Sequence, residues 1–243
     1  MKMTAQSVNL SLQTPGAPAG EGSRRADTEV APGQPGGHGA GHDGVARIGP
    51  NSVLQTLRAL AELEDQAVVS QVVARAHLPE ALPNAMIPEV WFVQLVRALR
   101  ETLPPARSEA VLRRSGTYTA DYVRANRIPA PIRLVLQLLP RRLAVPLLLK
   151  AFDRHAWTFA GAGRYSVQGG FPGTIVLRGP PTSRPEAAAL AGGTSCAYYE
   201  AAFQGLLGLA AREVQVTEVA CQASGSPACH FRLSFAASGG RVA

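Results

Sequence analysis

The chain has no apolar run near the ~20 residues that a membrane-spanning helix requires. Its most apolar stretch, Ile132 to Phe152, is interrupted by Pro140, Arg141, Arg142 and Pro146. The N-terminus lacks a basic segment followed by an apolar core, so no secretory signal is read and a cytoplasmic location is expected. Aromatic residues are scarce, at 6% of 243, so the core must rest on Leu, Val and Ala. Cysteine is rarer still. Cys196, Cys221 and Cys229 are an odd number in a chain without a signal, which argues against a disulfide framework and leaves metal binding or plain burial.

Motifs for redox cofactors are missing as well. Gly161-Ala162-Gly163-Arg164-Tyr165-Ser166 reads G-x-G-x-x-S, but it follows a helical pattern and enters a strand. A dinucleotide site needs the reverse order, strand to helix, to set a pyrophosphate on a helix N-terminus. No G-x-x-x-x-G-K-[ST] occurs, and no NAD or flavin motif is found. Three cysteines cannot ligate a four-thiolate iron–sulfur cluster without another residue. Ser195 lacks the G-x-S-x-G elbow of a hydrolase nucleophile.

What the chain does have is positive charge, unevenly placed. Its net charge is +7, yet residues 1–45 hold three cations against four carboxylates, while residues 97–164 hold thirteen against four. A basic field attracts anions, whether nucleic acid, acidic lipid, an acidic partner or a small carboxylate. These arginines are not interleaved with aromatics and no helix-turn-helix signal accompanies them, so no nucleic-acid partner is expected.

Residues 1–45 are rich in Gly, Pro and Ser and carry His38 and His42; such a segment buries too little apolar surface to order itself. Residues 46–104 carry helical periodicity. One helix is predicted from the N-cap pair Asn51–Ser52 and another from Pro88, ended by Pro104 and Pro105. Residues 105–237 form the remaining domain, with 238–243 a second tail. Helices are predicted over 108–127 and 131–159, the latter broken near Pro146. After Gly161 the pattern becomes β-rich: a hairpin over 164–177, a long helix from Arg184 to Ala211, and strands over 213–221 and 230–235. The predicted fold class is α+β, a helical N-terminal half packed on a small antiparallel sheet in the order β-β-α-β-β.

Cys221 and Cys229 flank the turn between the last two strands, so a hairpin brings both sulfurs to one end of the sheet. Cys196 falls near the middle of the predicted helix and joins them if that helix packs over the hairpin. Tetrahedral zinc needs a fourth donor, which His230, Glu186, Glu200, a water or an upstream carboxylate could supply. Free cysteine is also among the most buried residue types, so core packing competes with metal binding.

The same residues carry a resemblance. EVACQASGSPACHFRLSF, from Glu218, resembles the signature that ends the 4-vinyl-reductase domain, and CAYYEAAFQGLLGL, from Cys196, resembles the helix before it. VLRRSGTYTADYV, from Val111, and FAGAGRYSV, from Phe159, resemble its mid-domain helix and its glycine-rich approach to the sheet. The match spans roughly residues 105–236. It implies a plait shared with subunits of a vesicle-tethering complex and, by analogy with phenol-sensing activators, zinc held by three cysteines and a glutamate. Cys196, Cys221 and Cys229 then become metal ligands, and a homodimer is implied because related domains pair.

The resemblance further implies a place in bacteriochlorophyll biosynthesis. One form of that role is an accessory protein that binds a magnesium-porphyrin or protochlorophyllide-type intermediate, as ligand rather than cofactor. It would pass this between pathway enzymes such as the chelatase or methyltransferase. The alternative is reduction of a vinyl group on the precursor, which needs an electron donor that side chains do not provide. A pigment site wants an apolar wall and a few convergent polar groups. Leu134, Leu138, Leu139, Leu147, Leu148, Phe152, Trp157 and Phe159 are candidates for the wall, or simply core. Arg133, Arg141, Arg142 and Arg154 are candidate partners for propionates, and His155, a lone histidine in an apolar helix, for a polar contact or an axial ligand.

Overall fold

Residues 44–79, 81–83, 85–187 and 196–235 are described by the computed structural model. The segments expected as tails lie outside these residues, apart from Gly44 and Val45 of the first. Residues 236–237 and residues 188–195 of the predicted long helix lie outside them too. All described residues belong to one compact unit, Gly37–Ala243.

Helix α1, Asn51–Leu63, starts one residue earlier than its expected cap. Pro50 precedes it with φ −64°, already helical, so Asn51 and Ser52 fall inside the first turn and Ser52 Oγ donates to the Gly49 carbonyl at 2.9 Å. Thr56 donates to the Ser52 carbonyl and therefore accepts from Ser115 of α4, Pro105–Asn126, at 2.6 Å. This buried hydroxyl pair and the Arg114–Glu62 ion pair at 2.7 Å join α1 to α4. Helix α2, Gln66–Ala76, had no counterpart in the sequence reading; Asp65 caps it by accepting from Val68 N at 2.9 Å. The two-residue strands β1, Arg47–Ile48, and β2, Ile87–Pro88, pair antiparallel just before α3, Glu89–Thr102. Pro104 and Pro105 end α3 and open α4, because proline stops one helix and suits the first position of the next.

The helix predicted over 131–159 is three: α5, Ala130–Leu138, α6, Arg141–His155, and α7, Trp157–Ala160. The break falls at Leu139, which the ring of Pro140 forces into extended geometry at ψ 143°. Pro146 lies inside α6 without breaking it; the bond it removes, to the Arg142 carbonyl, is on an exposed face where water replaces it.

The main sheet holds β3, Arg164–Gln168, β4, Thr174–Arg178, β5, Val214–Ala220, and β6, Cys229–Phe235, in the order β3-β4-β6-β5 and antiparallel throughout. Alternation does the sorting. Val214, Val216 and Glu218 on β5, and Cys229, Phe231 and Leu233 on β6, point to the buried face. Helix α8, Ala197–Leu207, lies on that face, its Phe203 ring 5.5 Å from Phe231 and 5.8 Å from Phe152 of α6. It also crosses α4 with almost no gap: a Cβ at Gly116 would fall on the Tyr198 carbonyl, and one at Gly205 on Ala120. The α+β class and the β-β-α-β-β order are both present. The last helix is shorter than predicted: residues 181–183 are a 3₁₀ turn, and Cys196 is the N-cap of α8 rather than a mid-helix residue.

Candidate metal centre

Three chain segments bring four ionisable side chains to one point. Cys196 arrives at the N-cap of α8, Glu218 and Cys221 from β5 and its end, and Cys229 from the first residue of β6. The Sγ atoms of Cys196 and Cys229 are 3.3 Å apart, those of Cys221 and Cys229 3.8 Å, and those of Cys196 and Cys221 3.9 Å. With the Glu218 carboxylate, the four donor atoms lie within 4.8 Å of one another, and all four residues are buried. Zinc–sulfur bonds of about 2.3 Å set at tetrahedral angles put neighbouring sulfurs about 3.8 Å apart, close to what is found.

Glu218 is the donor that sequence reasoning left open. The signal was present in the alternation of β5, where Glu218 takes an inward position after Val214 and Val216. Glu218 and Cys221 differ by three, which in a regular strand puts them on opposite faces. The register slips between Glu218, paired with Phe231, and Ala220, paired with His230, so one extra residue returns Cys221 to the side of Glu218. The other candidates for fourth donor are elsewhere. Glu200 pairs with Arg113 at 2.8 Å and accepts from the Glu218 backbone N at 3.2 Å. Neither His230 nor Glu186 belongs to the cluster.

The surroundings favour a bound cation over four neutral groups. Burial, then the Cys221 thiol, pushes Glu218 up to about 8. Burial raises Cys196 well above an ordinary thiol. At Cys229 the Cys196 thiol pulls downward, but the Cys221 thiol and burial outweigh it and leave the group at about 11. A dication reverses each of these shifts by supplying the opposite charge that burial removed. Glu218 Oε2 accepts from Cys196 N at 3.2 Å, while no nitrogen or oxygen donor reaches its buried Oε1. An orphaned carboxylate oxygen beside three thiols fits the role of fourth metal ligand.

Second contacts orient the set. Gln222 N donates to Cys229 Sγ at 3.3 Å, and Thr182 Oγ1 lies 3.3 Å from Cys196 Sγ. Buried Arg100 donates to the carbonyls of Thr182 at 2.8 Å and Ala187 at 2.5 Å and faces the thiols electrostatically. Three thiolates and a carboxylate carry more negative charge than a dication cancels, and Arg100 offsets part of the excess.

The residues expected to hold a pigment do not gather in the same way. Phe152 is core, packed on Phe203. Arg133 donates to the Arg124 carbonyl at 3.1 Å, and Arg141 pairs with Glu213 at 2.9 Å while its guanidinium lies 4.7 Å from the Phe235 ring centroid. His155, read as a lone histidine in an apolar helix, is exposed in the last turn of α6, and Arg142, Arg154 and Trp157 are exposed as well. Of the expected wall, Leu148 is buried and Leu139 and Phe159 pack on the core, whereas Leu134, Leu138 and Leu147 face outward.

What the structure offers instead is an open cleft of about 470 Å³ between α6 and the β3–β4 hairpin. Pro146, Leu149, Lys150 and Asp153 line it from α6, facing Tyr165, Val167 and Phe171. Arg142 precedes Pro146 by one turn on that helix face, and Arg154 follows Lys150 by one turn.

Comparison with known proteins adds three findings. The 4-vinyl-reductase domain matches residues 182–235, a span that contains all four donors. The chain is 35% identical over 189 residues to the bacteriochlorophyll synthase 23 kDa chain of Cereibacter sphaeroides, covering 77% of this chain and 90% of that one. It is 36% identical over 201 residues to the protein of the same name from Rhodobacter capsulatus, covering 80% and 90%. Two H-NOX structures are similar in outline. One, from S. oneidensis in the Fe(II)NO ligation state, has a TM-score of 0.45 at 14% identity over 78% of this chain and 100% of that one. The other, an unliganded Fe(II) mutant from K. algicida, has 0.49 at 9% over 79% and 98%. Likeness of that extent carries no argument about chemistry.

Proposed function

The chain belongs to the family of the bacteriochlorophyll synthase 23 kDa chains and takes part in bacteriochlorophyll biosynthesis, and from that premise we propose an accessory role: it binds a magnesium-porphyrin or protochlorophyllide-type intermediate and passes it between pathway enzymes. The supporting observation is the cleft between α6 and the β3–β4 hairpin. Its walls are apolar at Pro146, Leu149, Val167 and Phe171, and its charged groups are Lys150 and Asp153. A flat, greasy ring bearing carboxylates wants such walls and such a cation. Lys150, with Arg142 and Arg154 on the neighbouring turns, pairs with the propionates. Asp153 offers the hard oxygen that magnesium prefers as an axial ligand, in place of His155. Openness suits a carrier, which must release what it binds.

Zinc in the centre of Cys196, Glu218, Cys221 and Cys229 supplies organisation rather than turnover. Four protein donors close the coordination sphere, as in structural zinc sites. The clamp fixes α8 against β5 and β6, and α8 in turn supports α6 through Phe203 and Phe152.

Titration of the full-length protein with magnesium protoporphyrin tests the reading. A saturable red shift and fluorescence quenching are expected, weakened about tenfold or more by Lys150→Glu. No spectral change with the unaltered protein overturns it, and turnover of a divinyl substrate with NADPH by the pure protein would make it a reductase instead.

A further inference from the structure

From Tyr122 to Phe152 the chain has six cations, Arg124, Arg127, Arg133, Arg141, Arg142 and Lys150, and no carboxylate. The same stretch turns its large apolar side chains outward. In the nine residues of α5 only Leu136 is buried. Ile132, Val135 and Leu138 follow each other at one-turn spacing, Leu134 precedes Leu138 by one turn, and Leu138 is 75% exposed. Beyond Pro140 the pattern continues with exposed Leu143 and Leu147, also one turn apart. Scattered surface leucines need no explanation, but a contiguous apolar face rimmed by polar groups marks an interaction surface.

We propose that the outward face of α5 and the start of α6 docks in the plane of a lipid bilayer that carries anionic headgroups. Helices that lie on membranes combine an apolar face with Arg and Lys around it, and both are here within one stretch. The charge selects among occupants. A second copy of this face would set six cations against six, which repels. Nucleic acid would satisfy the cations but leave Ile132, Leu134 and Leu138 in water, and no exposed aromatic on α5 offers a base to stack on. No described helix is long and apolar enough to cross a membrane, so the contact is peripheral. The inference stands on α5 and does not depend on pigment binding in the α6 cleft, since no α5 residue lines that cleft.

The test is co-sedimentation of the full-length protein with vesicles of phosphatidylglycerol and phosphatidylcholine, against vesicles of phosphatidylcholine alone. Binding is expected to the first and not the second, and to fall steeply with added salt. Leu134→Asp with Leu138→Asp, both at exposed positions and verified folded by an unchanged melting curve, is expected to abolish it. Arg127→Glu is expected to weaken it about tenfold or more, because it reverses one charge near the surface. Equal binding to both vesicle types, no binding, or full binding by the double aspartate variant overturns the proposal. So does a soluble acidic protein captured through Leu138 by a chain that ignores the vesicles.

Discussion

Two regions of this molecule reverse the usual sorting of side chains, in opposite senses. Around β5, β6 and the N-cap of α8, four ionisable groups are buried together, while along α5 and α6 large apolar groups are left outside among cations. Burial of charge and exposure of oil both cost free energy, and each makes sense only with something the polypeptide does not itself contain. The first region asks for a small hard-edged charge, and its geometry is tight to a few tenths of an ångström. The second asks for an extended soft surface, and it is loosely held, with a single leucine as the anchor of α5.

Perturbing each region separately should expose that asymmetry. The largest effect is expected from Cys229→Ser, which removes one sulfur from a closed set. Bound zinc, measured by atomic emission on the purified protein, should fall from about one per chain to near zero. The melting temperature should drop by more than any single core truncation produces, and an unchanged zinc content would break the contrast.

Next comes a matched pair on one helix. Leu136→Ala, which empties a buried position, should cost about 2–4 kcal/mol in denaturant unfolding. Leu138→Ala, two residues on, should stay within about 0.5 kcal/mol because nothing covers it. Equal costs would mean that α5 is covered after all.

A third comparison is made with the metal chelated. Glu218 is then held neutral up to about 8 in the folded chain, against an ordinary 4.5 when unfolded. Its folded value is raised, so its contribution is fully present below about 4.5 and is lost as pH rises through about 8. The chelated protein should therefore become less stable from about pH 5 to about pH 8. Glu218→Gln should flatten that slope, and a slope of the opposite sign would exclude Glu218 as the cause. Smallest is the effect of Arg141→Ala, an exposed pair with Glu213 expected to contribute under about 1 kcal/mol.

The two regions also differ in how much of them the sequence made legible. The three cysteines, their convergence and the β-β-α-β-β frame were readable from strand alternation and turn chemistry, because those rules are local. Glu218 was not, since its partnership with Cys221 depends on an irregularity in pairing that no residue type announces. Helix α2 was missed because its apolar positions, Val68, Val69, Val72 and Ala76, are divided between buried and half-buried and its segment is short. Along α5 and α6 periodicity located the apolar residues but not their direction. Whether Leu134 and Leu138 face core or solvent is decided by what packs beside them, which is tertiary information. Pro146 misled in the same way: proline ends a helix unless the bond it forfeits lies where water can take over.

The slip in pairing at Val219 turns the last strands into a problem of parity. Counting inward positions from Val214 by twos reaches Glu218 and then Ala220; the added residue shifts the count from even to odd, so that Cys221 is the next to face inward. Val219 can therefore change its chemistry freely, yet deleting it should flip the sulfur to the far side of the sheet. At this position the length of the chain, rather than the identity of any side chain, determines the site.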